Sequence, residues 1–433
     1  MERFAMQRLI DWKTSPARRP LILNGARQVG KTWLIKEFAE REYAGIAYVN
    51  LENNEAMTQL FEGSFEIPRI ISGIELETGI RIDPDTTLIA LDEIQEVPKA
   101  LTSLKYFYEN APQYHIIAAG SLLGIQLHQG TSFPVGKVDT IDIYPLSFEE
   151  YVLQRLGRPM LDALMDADPS LAETFKTKLT ATLKDYYFVG GMPEAINAFG
   201  QNSDYEAARN VQRRILADYE RDFSKHQNAR DAERAFAVWE SIPAHLAQEN
   251  KRFVFGKVAK GGRAKEFEHA ITWLARAGLL YKVPRVSKPA LPLNAYAGTG
   301  AFKAFILDVG LLGAMCQTDA RSVIEGNKLF TEFKGAQAEQ FVCQQLIAAC
   351  GLKPFYWSAE NSRGEIDFLT QSNGDIYAIE VKAEENLKAK SLRSLKQKYP
   401  DIRAVRFSLS GYREESWMKN VPLYLMGNER LWL

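Results

Sequence analysis

The stretch that most constrains the fold is LILNGARQVGKTWLIKEF, residues 21–38. An apolar segment of strand length runs into the pattern Gly25-x-x-x-x-Gly30-Lys31-Thr32, and a helical pattern follows it. In such a loop, glycines let backbone N–H groups turn toward phosphate oxygens, the lysine reaches the β- and γ-phosphates, and the threonine hydroxyl can ligand Mg²⁺. We therefore predict a P-loop that binds ATP, with Lys31 as a catalytic residue and Thr32 as a metal ligand. The predicted ATP-binding residues of the loop are Gly25, Ala26, Arg27, Gln28, Val29, Gly30, Lys31, Thr32 and Trp33.

Two further apolar segments end in polar residues suited to ATP hydrolysis. The first, TTLIALDEIQ at residues 86–95, supplies Asp92 to hold Mg²⁺, directly or through water, and Glu93 to polarise the attacking water. The second, HIIAAGS, ends in Ser121, which either senses the γ-phosphate or lies in an ordinary surface turn. We include Asp92 and Ser121 among the predicted nucleotide-binding residues.

The segments AGIAYVNLEN and KVDTIDIYPLSFEEY add two predicted strands to the same region. Strands that alternate with helical patterns indicate a parallel sheet with helices on both faces. We therefore predict an α/β fold in which residues 1–150 form the ATPase core.

Composition limits the remaining possibilities. A chain of 433 residues is too long to form one hydrophobic core, so two to four domains are expected. The net charge of −1 gives no overall attraction to nucleic acid or membrane, so such contacts would need a local patch. The sequence has no apolar segment typical of a secretory signal or a membrane span, and its three cysteines have no metal-ligand spacing. We therefore expect a cytoplasmic protein that makes no membrane contact.

Five motifs occur in order along the chain: GARQVGKT, LDEIQ, AGS, YPLSFEEY and GGMPE. Together they resemble those of the prokaryotic AAA-family ATPases that carry a C-terminal domain of unknown function, and the resemblance covers nearly the whole chain. It implies an AAA-type core that uses ATP and Mg²⁺. One departure is Gly136-Lys137 before the fifth strand, where these proteins usually have Gly-Arg, because a lysine lacks the bidentate fork of an arginine. Whether the chain forms a homo-oligomer is left open.

Helical patterns dominate residues 151–231, where we predict a helical lid. Within it, Gly190, Gly191 and Pro193 favour a tight turn at a helix end over a ligand site.

Short helices followed by a β-hairpin predict a winged helix over residues 232–329. Between residues 249 and 288 there are ten Lys or Arg against three acids, a local charge of +7. A basic helix-turn-helix segment favours contact with DNA phosphates. The alternative is an internal packing module whose lysines keep the surface soluble.

A new unit is predicted over residues 330–433, with the order helix, three strands, helix. In GEIDFLTQSNGDIYAIEVKA the apolar and charged residues alternate, so the charged side chains share one face of each strand. Glu339 lies on the first helix, Asp367 on the second strand, and Glu380 and Lys382 on the third. This arrangement resembles the PD-(D/E)xK nuclease superfamily, whose fold is restriction-endonuclease-like.

The nuclease resemblance implies catalytic roles for Asp367, Glu380 and Lys382. Asp367 and Glu380 would bind a divalent metal, Lys382 would position or activate water, and Glu339 would assist as a further ligand. Carboxylates suit Mg²⁺ or Mn²⁺, and carboxylates crowded on one face repel one another unless a cation neutralises them. The alternative is a degenerate nuclease fold in which these residues form a partly buried ion network.

The sequence thus predicts an ATPase whose nucleotide state is coupled to metal-dependent cleavage or binding of nucleic acid. An ATP-dependent, non-catalytic switch with interaction modules at its C-terminal end is the main alternative. A transcriptional regulator that binds duplex DNA through the winged helix is a third.

Overall fold

In the computed structural model, the described parts of the chain are residues 1–121, 134–248, 250–322, 331–359, 364–384 and 389–433. They form two compact units, residues 1–144 with 276–278, and residues 145–275 with 279–433. None of the helices in these ranges is both long and apolar enough to cross a membrane.

The first unit is a five-stranded sheet with helices. Its helices are α1 (Ala5–Thr14), α2 (Lys31–Glu42), α3 (Glu55–Glu62), α4 (Ile67–Thr78) and α5 (Pro98–Asn110). Its strands are β1 (Leu21–Asn24), β2 (Gly45–Asn50), β3 (Thr87–Asp92), β4 (His115–Gly120) and β5 (Asp139–Asp142). The strand order is β2-β3-β4-β1-β5, and every pairing is parallel. The predicted parallel sheet is therefore confirmed.

The pairing register brings the ends of three strands to one edge of this sheet. Asn24 of β1 pairs with Gly120 of β4, and Leu91 of β3 pairs with Ala118 of β4. The P-loop follows β1, while Asp92 is the last residue of β3. Ligands of open α/β sheets bind at the carboxyl ends of the strands. The topology thus collects the predicted nucleotide-binding residues at one edge.

Apolar packing fixes the strand that carries Asp92. All six residues of β3 are buried. Ile89 and Leu91 belong to a core cluster that also contains Ile70 and Ile74 of α4. Burying a side chain of this size contributes about 2 kcal/mol. The acid at the end of β3 therefore projects from a rigid element.

The second unit combines many helices with a larger sheet. The described helices are α6 (Phe148–Leu156), α7 (Arg158–Met165), α8 (Ser170–Thr174), α9 (Lys176–Val189), α10 (Pro193–Phe199), α11 (Tyr205–His226), α12 (Ala229–Leu246), α13 (Phe255–Val258), α14 (Ala264–Arg276), α15 (Val309–Met315), α16 (Thr331–Ala348) and α17 (Lys390–Lys398). The described strands are β6 (Leu280–Val286), β7 (Ala297–Ile306), β8 (Phe355–Ser358), β9 (Glu365–Ser372), β10 (Asp375–Val381), β11 (Arg403–Ser408), β12 (Arg413–Glu414) and β13 (Lys419–Pro422).

The hairpin at β6 and β7 is part of this larger sheet. The strand order is β12-β13-β11-β10-β9-β8-β6-β7. β6 pairs antiparallel with β7 and parallel with β8, the latter through Arg285 with Tyr356 and Val286 with Trp357. The hairpin expected for a winged helix therefore continues the sheet that carries Asp367 and Glu380, and the sheet runs across the boundary expected near residue 330.

The two glycines of the GGMPE motif allow a close junction inside the second unit. Gly190 ends α9 with φ 73° and ψ −167°, a conformation that favours glycine. A Cβ on Gly190 would lie 2.1 Å from Oδ1 of Asp308. The N–H of Gly191 donates to Oδ2 of Asp308 at 2.6 Å, and a Cβ on Gly191 would lie 2.2 Å from the carbonyl oxygen of Leu146. The motif therefore forms a turn at a helix end, as the sequence suggests.

We expect Gly190→Ala to destabilise the second unit by about 3 kcal/mol, because the methyl group would overlap Asp308 and the backbone would be strained. Thermal unfolding followed by circular dichroism should show a clearly lower midpoint. Gly256→Ala is the matched control, since a Cβ there meets nothing within 4 Å. Equal midpoints for the two variants would contradict this account of the turn.

Candidate functional sites

The loop after β1 adopts backbone conformations that its glycines permit. Gly30, which precedes α2, has φ 95°, and Gln28 has φ 65°. A Cβ on Gly25 would lie 2.2 Å from the carbonyl oxygen of Ile143, so only glycine fits there. Ala26 and Val29 are buried. The loop is thus closely packed and leads directly into the N-terminus of α2.

Lys31 is the first residue of α2, and backbone oxygens of the loop hold its amine. Its side chain is buried, and Nζ donates to the carbonyl oxygens of Gly25 at 2.8 Å and Ala26 at 2.7 Å. Burial lowers the pKa of Lys31 to about 8, although the nearby Glu93 and Asp92 act in the opposite direction. The amine therefore lies against the loop backbone and near both Asp92 and Glu93.

Thr32 and Asp92, the two predicted Mg²⁺ ligands of the nucleotide site, are in direct contact. The Thr32 hydroxyl donates to Oδ2 of Asp92 at 2.6 Å. Tyr48 donates to the same oxygen at 2.8 Å, and burial together with Asp92 raises the pKa of Tyr48. Sequence reasoning missed Tyr48. Its position near the end of β2, which pairs with β3, is the signal that could have found it.

Glu93 follows Asp92 in a left-handed conformation, with φ 51°. Its N–H contacts Oδ1 of Asp92 at 3.0 Å, and its carboxylate accepts a hydrogen bond from the Gln95 amide. The two neighbouring carboxylates therefore have different partners: Asp92 accepts from Thr32, Tyr48 and the Glu93 N–H, whereas Glu93 accepts from Gln95.

The remaining predicted nucleotide residues divide into two groups. Arg27 reaches Ser121, with Nε 3.3 Å from Oγ, so the strand end at Ser121 lies beside the loop. Trp33 and Gln28 are exposed. Lys137 stands where the proteins that this sequence resembles usually have an arginine. Its Nζ forms an ion pair with Oε1 of Glu109 at 3.1 Å.

Arg3 is a further residue that sequence reasoning missed. Its guanidinium is buried and donates to the carbonyl oxygens of Val29 at 2.9 Å and Tyr144 at 2.7 Å. Val29 belongs to the loop, so Arg3 holds the loop from the segment that precedes α1. Nothing in the sequence near Arg3 identifies this long-range contact.

The charged face of the C-terminal strands lies beside α16. Asp367 on β9 is fixed by the Val381 N–H, which donates to Oδ2 at 2.8 Å. Glu380 on β10 forms an ion pair with Lys382 at 2.9 Å. Glu339 on α16 is near enough to contribute, with burial, to a raised pKa of about 7 for Asp367. The structure thus brings the four predicted residues to one region.

Two lysines that sequence reasoning missed neutralise this region. Lys251 Nζ lies 2.7 Å from Oε1 of Glu339, and Lys303 Nζ lies 3.6 Å from Oε2. Lys303 also contacts Glu365 at 2.6 Å. We call Lys251, Lys303, Glu339 and Glu365 the lysine–glutamate network. Lys303 interrupts the apolar run AFKAFIL of β7, which is the sequence signal that could have found it.

Electrostatics within the network favour charged lysines and a charged Glu339. Burial by itself would raise the pKa of Glu339, but Lys251 and Lys303 outweigh it and lower the pKa. Burial opposes the charged form of Lys303, yet Glu339, Glu365 and Asp367 raise its pKa above the ordinary value. The carboxylate of Glu339 is therefore neutralised by amines.

The predicted metal roles of Glu339, Asp367 and Glu380 gain no support from this geometry. Among the described residues there is no group of three or more His, Cys, Asp or Glu that could hold a metal ion. Both oxygens of Glu339 face lysine amines. Lysine side chains supply positive charge beside Glu339, while Oε2 of Glu339 and Oε2 of Glu380 are buried without a hydrogen-bond partner among the described residues.

Comparison with known proteins divides the chain into three segments. Residues 17–152 match the model of an AAA domain, residues 180–322 a domain of unknown function (DUF8612), and residues 334–425 another domain of unknown function (DUF4143). A search of curated proteins gave no match. The AAA match supports an ATPase core that binds and hydrolyses ATP.

Similarity to solved structures is weak. The Orc1 protein of Aeropyrum pernix in complex with DNA is 14% identical, with 72% of this chain and 92% of that chain covered and a TM-score of 0.30. Cdc6p from Pyrobaculum aerophilum is 13% identical, with 74% and 93% covered and a TM-score of 0.25. The Pif1 helicase from Candida albicans is 15% identical, with 40% and 46% covered and a TM-score of 0.21. These scores carry no argument about function.

We expect Lys303→Met to destabilise the second unit by about 3 kcal/mol, because Glu339 and Glu365 would lose a buried counter-charge. Urea unfolding monitored by tryptophan fluorescence should show a lower midpoint. Lys282→Met on the neighbouring strand is the control, since Lys282 is exposed. Adding Glu365→Gln to Lys303→Met should recover part of the loss. Unchanged stability of the single variant would contradict the structural role of the network.

Proposed function

We propose that this protein hydrolyses ATP and that its nucleotide state controls a nuclease-like C-terminal domain that binds nucleic acid. The observation that carries the ATPase half is the contact between the Thr32 hydroxyl and the Asp92 carboxylate at the mouth of the P-loop. Lys31 and Glu93 lie close enough to influence each other electrostatically. These contacts support a site in which the four groups act together in phosphoryl transfer to water.

The roles of these residues follow from their positions. Lys31 exchanges its hydrogen bonds to loop carbonyls for bonds to phosphate oxygens. Thr32 and Asp92 would hold Mg²⁺, and the ion would neutralise charge on the phosphates. Glu93 orients the attacking water and accepts its proton. Arg27 and Ser121, which contact each other, are placed to meet the γ-phosphate.

The element order supports the proposed domains beyond the ATPase core. Helices α12 to α14 followed by the β6–β7 hairpin support a winged helix, and α16, β8, β9, β10 and α17 in sequence support a nuclease-like fold. The lysine–glutamate network favours binding without cleavage, because lysine amines stand where a metal would neutralise Glu339.

Metal-dependent cleavage is the second candidate function. The observation that favours it is the closeness of Asp367 to Glu339, which together with burial raises the pKa of Asp367 to about 7. Glu380 and Lys382 are paired beside them. A cation that displaced the lysines would find several carboxylates already assembled.

We expect Glu93→Gln to lower the rate of phosphate release at least 100-fold while ATP binding is retained, because the variant keeps the loop but loses the general base. Lys31→Ala should lose both binding and turnover. Phosphate release and binding of a fluorescent ATP analogue would be measured on the full chain. Glu40→Gln, an exposed glutamate on α2, is the control. Phosphate release that Lys31→Ala leaves unchanged would refute the ATPase.

We expect no cleavage of linear or branched DNA by the wild-type chain with ATP and either Mg²⁺ or Mn²⁺, because lysines neutralise Glu339. Asp367→Ala would be run in parallel on the same substrates, with gel electrophoresis of the products. Cleavage by wild type that Asp367→Ala abolishes would establish the second candidate instead and contradict the binding-only proposal.

A further inference from the structure

A cleft of about 460 Å³ opens beside the β6–β7 hairpin in the second unit. We call it the hairpin cleft, and its lining includes Arg252, Arg285, Ser287, Tyr296, Gly298 and Gly300. The two arginines come from different segments of the chain, and the glycines belong to β7. The cleft therefore presents guanidinium groups, an aromatic ring and accessible backbone around one space.

The charge of the hairpin cleft is one-sided. Arg252 and Arg285 line it, and no carboxylate does among the described residues. Arg285 uses one nitrogen, Nη2, to donate to the Ser358 carbonyl oxygen at 2.6 Å, while its Nε is buried with no acceptor among the described residues. Guanidinium groups with unused donors favour phosphate ligands, which offer several acceptor oxygens.

The hairpin cleft adjoins the lysine–glutamate network. Arg252 is next in sequence to Lys251 and forms an isolated β-bridge with Lys303. On the other side, Ser358, which accepts from Arg285, pairs with Glu365 of β9. A strand held in the cleft would therefore pass beside the charged face that carries Asp367.

The helix that a winged helix would use to read DNA is less suitable for phosphate contact. On α14 the exposed charged residues are Lys265, Glu266, Glu268 and Arg276. Two acids against two bases give the exposed side chains of this helix no net positive charge to attract phosphates. Although residues 249–288 carry a charge of +7, that charge is not concentrated on α14.

We propose that the hairpin cleft binds single-stranded nucleic acid, with Arg252 and Arg285 on the phosphates and the half-buried Tyr296 stacked against a base. The inference rests on the proposed nucleic-acid binding and names the surface that performs it. An aromatic ring beside a basic groove is the arrangement by which proteins hold unpaired strands, because every base offers a face for stacking.

The test uses the full chain and fluorescein-labelled 20-nucleotide DNA, RNA and duplex DNA, with binding followed by anisotropy. Arg252→Glu should weaken single-strand binding at least tenfold, and Arg252→Lys should restore most of it. Tyr296→Ala should weaken binding to single strands more than to duplex. The charge-matched control is Lys265→Glu on α14, which should change affinity less than twofold.

Each failure has a distinct meaning. If wild type binds none of the nucleic acids, the proposed nucleic-acid function fails and the cleft assignment with it. If wild type binds but Lys265→Glu weakens binding as much as Arg252→Glu does, only the cleft assignment fails. Tighter binding of duplex, or of labelled polyglutamate, than of single strands would show that the occupant is wrong. Thermal unfolding checks that each variant is folded, and Tyr296→Ala, which removes no charge, keeps the proposal testable if Arg252→Glu does not fold.

Discussion

A lysine amine that leaves water must find oxygen partners, and this requirement shapes both candidate sites. Lys31 is held by the neutral carbonyl oxygens of Gly25 and Ala26, and burial lowers its pKa to about 8. Lys303 is fully buried among carboxylates, which raise its pKa. In the proposed site Lys31 would exchange carbonyl oxygens for charged phosphates, whereas Lys303 already has carboxylate partners. The two buried lysines are therefore proposed to act differently, Lys31 in ligand binding and Lys303 in stabilising the fold.

Crowded carboxylates need positive charge beside them, and the sequence and the structure suggest different sources for that charge. Crowded carboxylates at Glu339, Asp367 and Glu380 need a cation, and from the sequence a divalent metal is the natural choice. The structure supplies Lys251 and Lys303, both of which precede residue 330 in the chain. Removing either partner of a buried ion pair lowers the stability of the fold. The network therefore holds β7 against α16 in one arrangement.

Local patterns made the ATPase core predictable. The P-loop, Asp92 and Glu93 lie in or directly after apolar strands, and a parallel sheet brings such strand ends together whatever the intervening sequence. Arg3, Tyr48, Lys251 and Lys303 escaped prediction because their roles depend on contacts with residues far away in the chain. The hairpin was predictable as a hairpin, but its pairing with β8 joins residues about 70 positions apart and has no local signature.

The pairing of β6 with β8 places the hairpin in the same sheet as the charged face. Because β6 and β7 continue the sheet of β8, β9 and β10, a ligand on the hairpin acts on the same sheet as Asp367 and Glu380. Lys251 and Arg252 are consecutive, with one side chain in the lysine–glutamate network and the other lining the hairpin cleft. In this proposal a phosphate held by Arg252 is therefore coupled to the adjacent Lys251–Glu339 ion pair. Coupling between two ligands is reciprocal, so a ligand at Glu339 that weakened phosphate binding would itself be weakened by bound phosphate by the same factor.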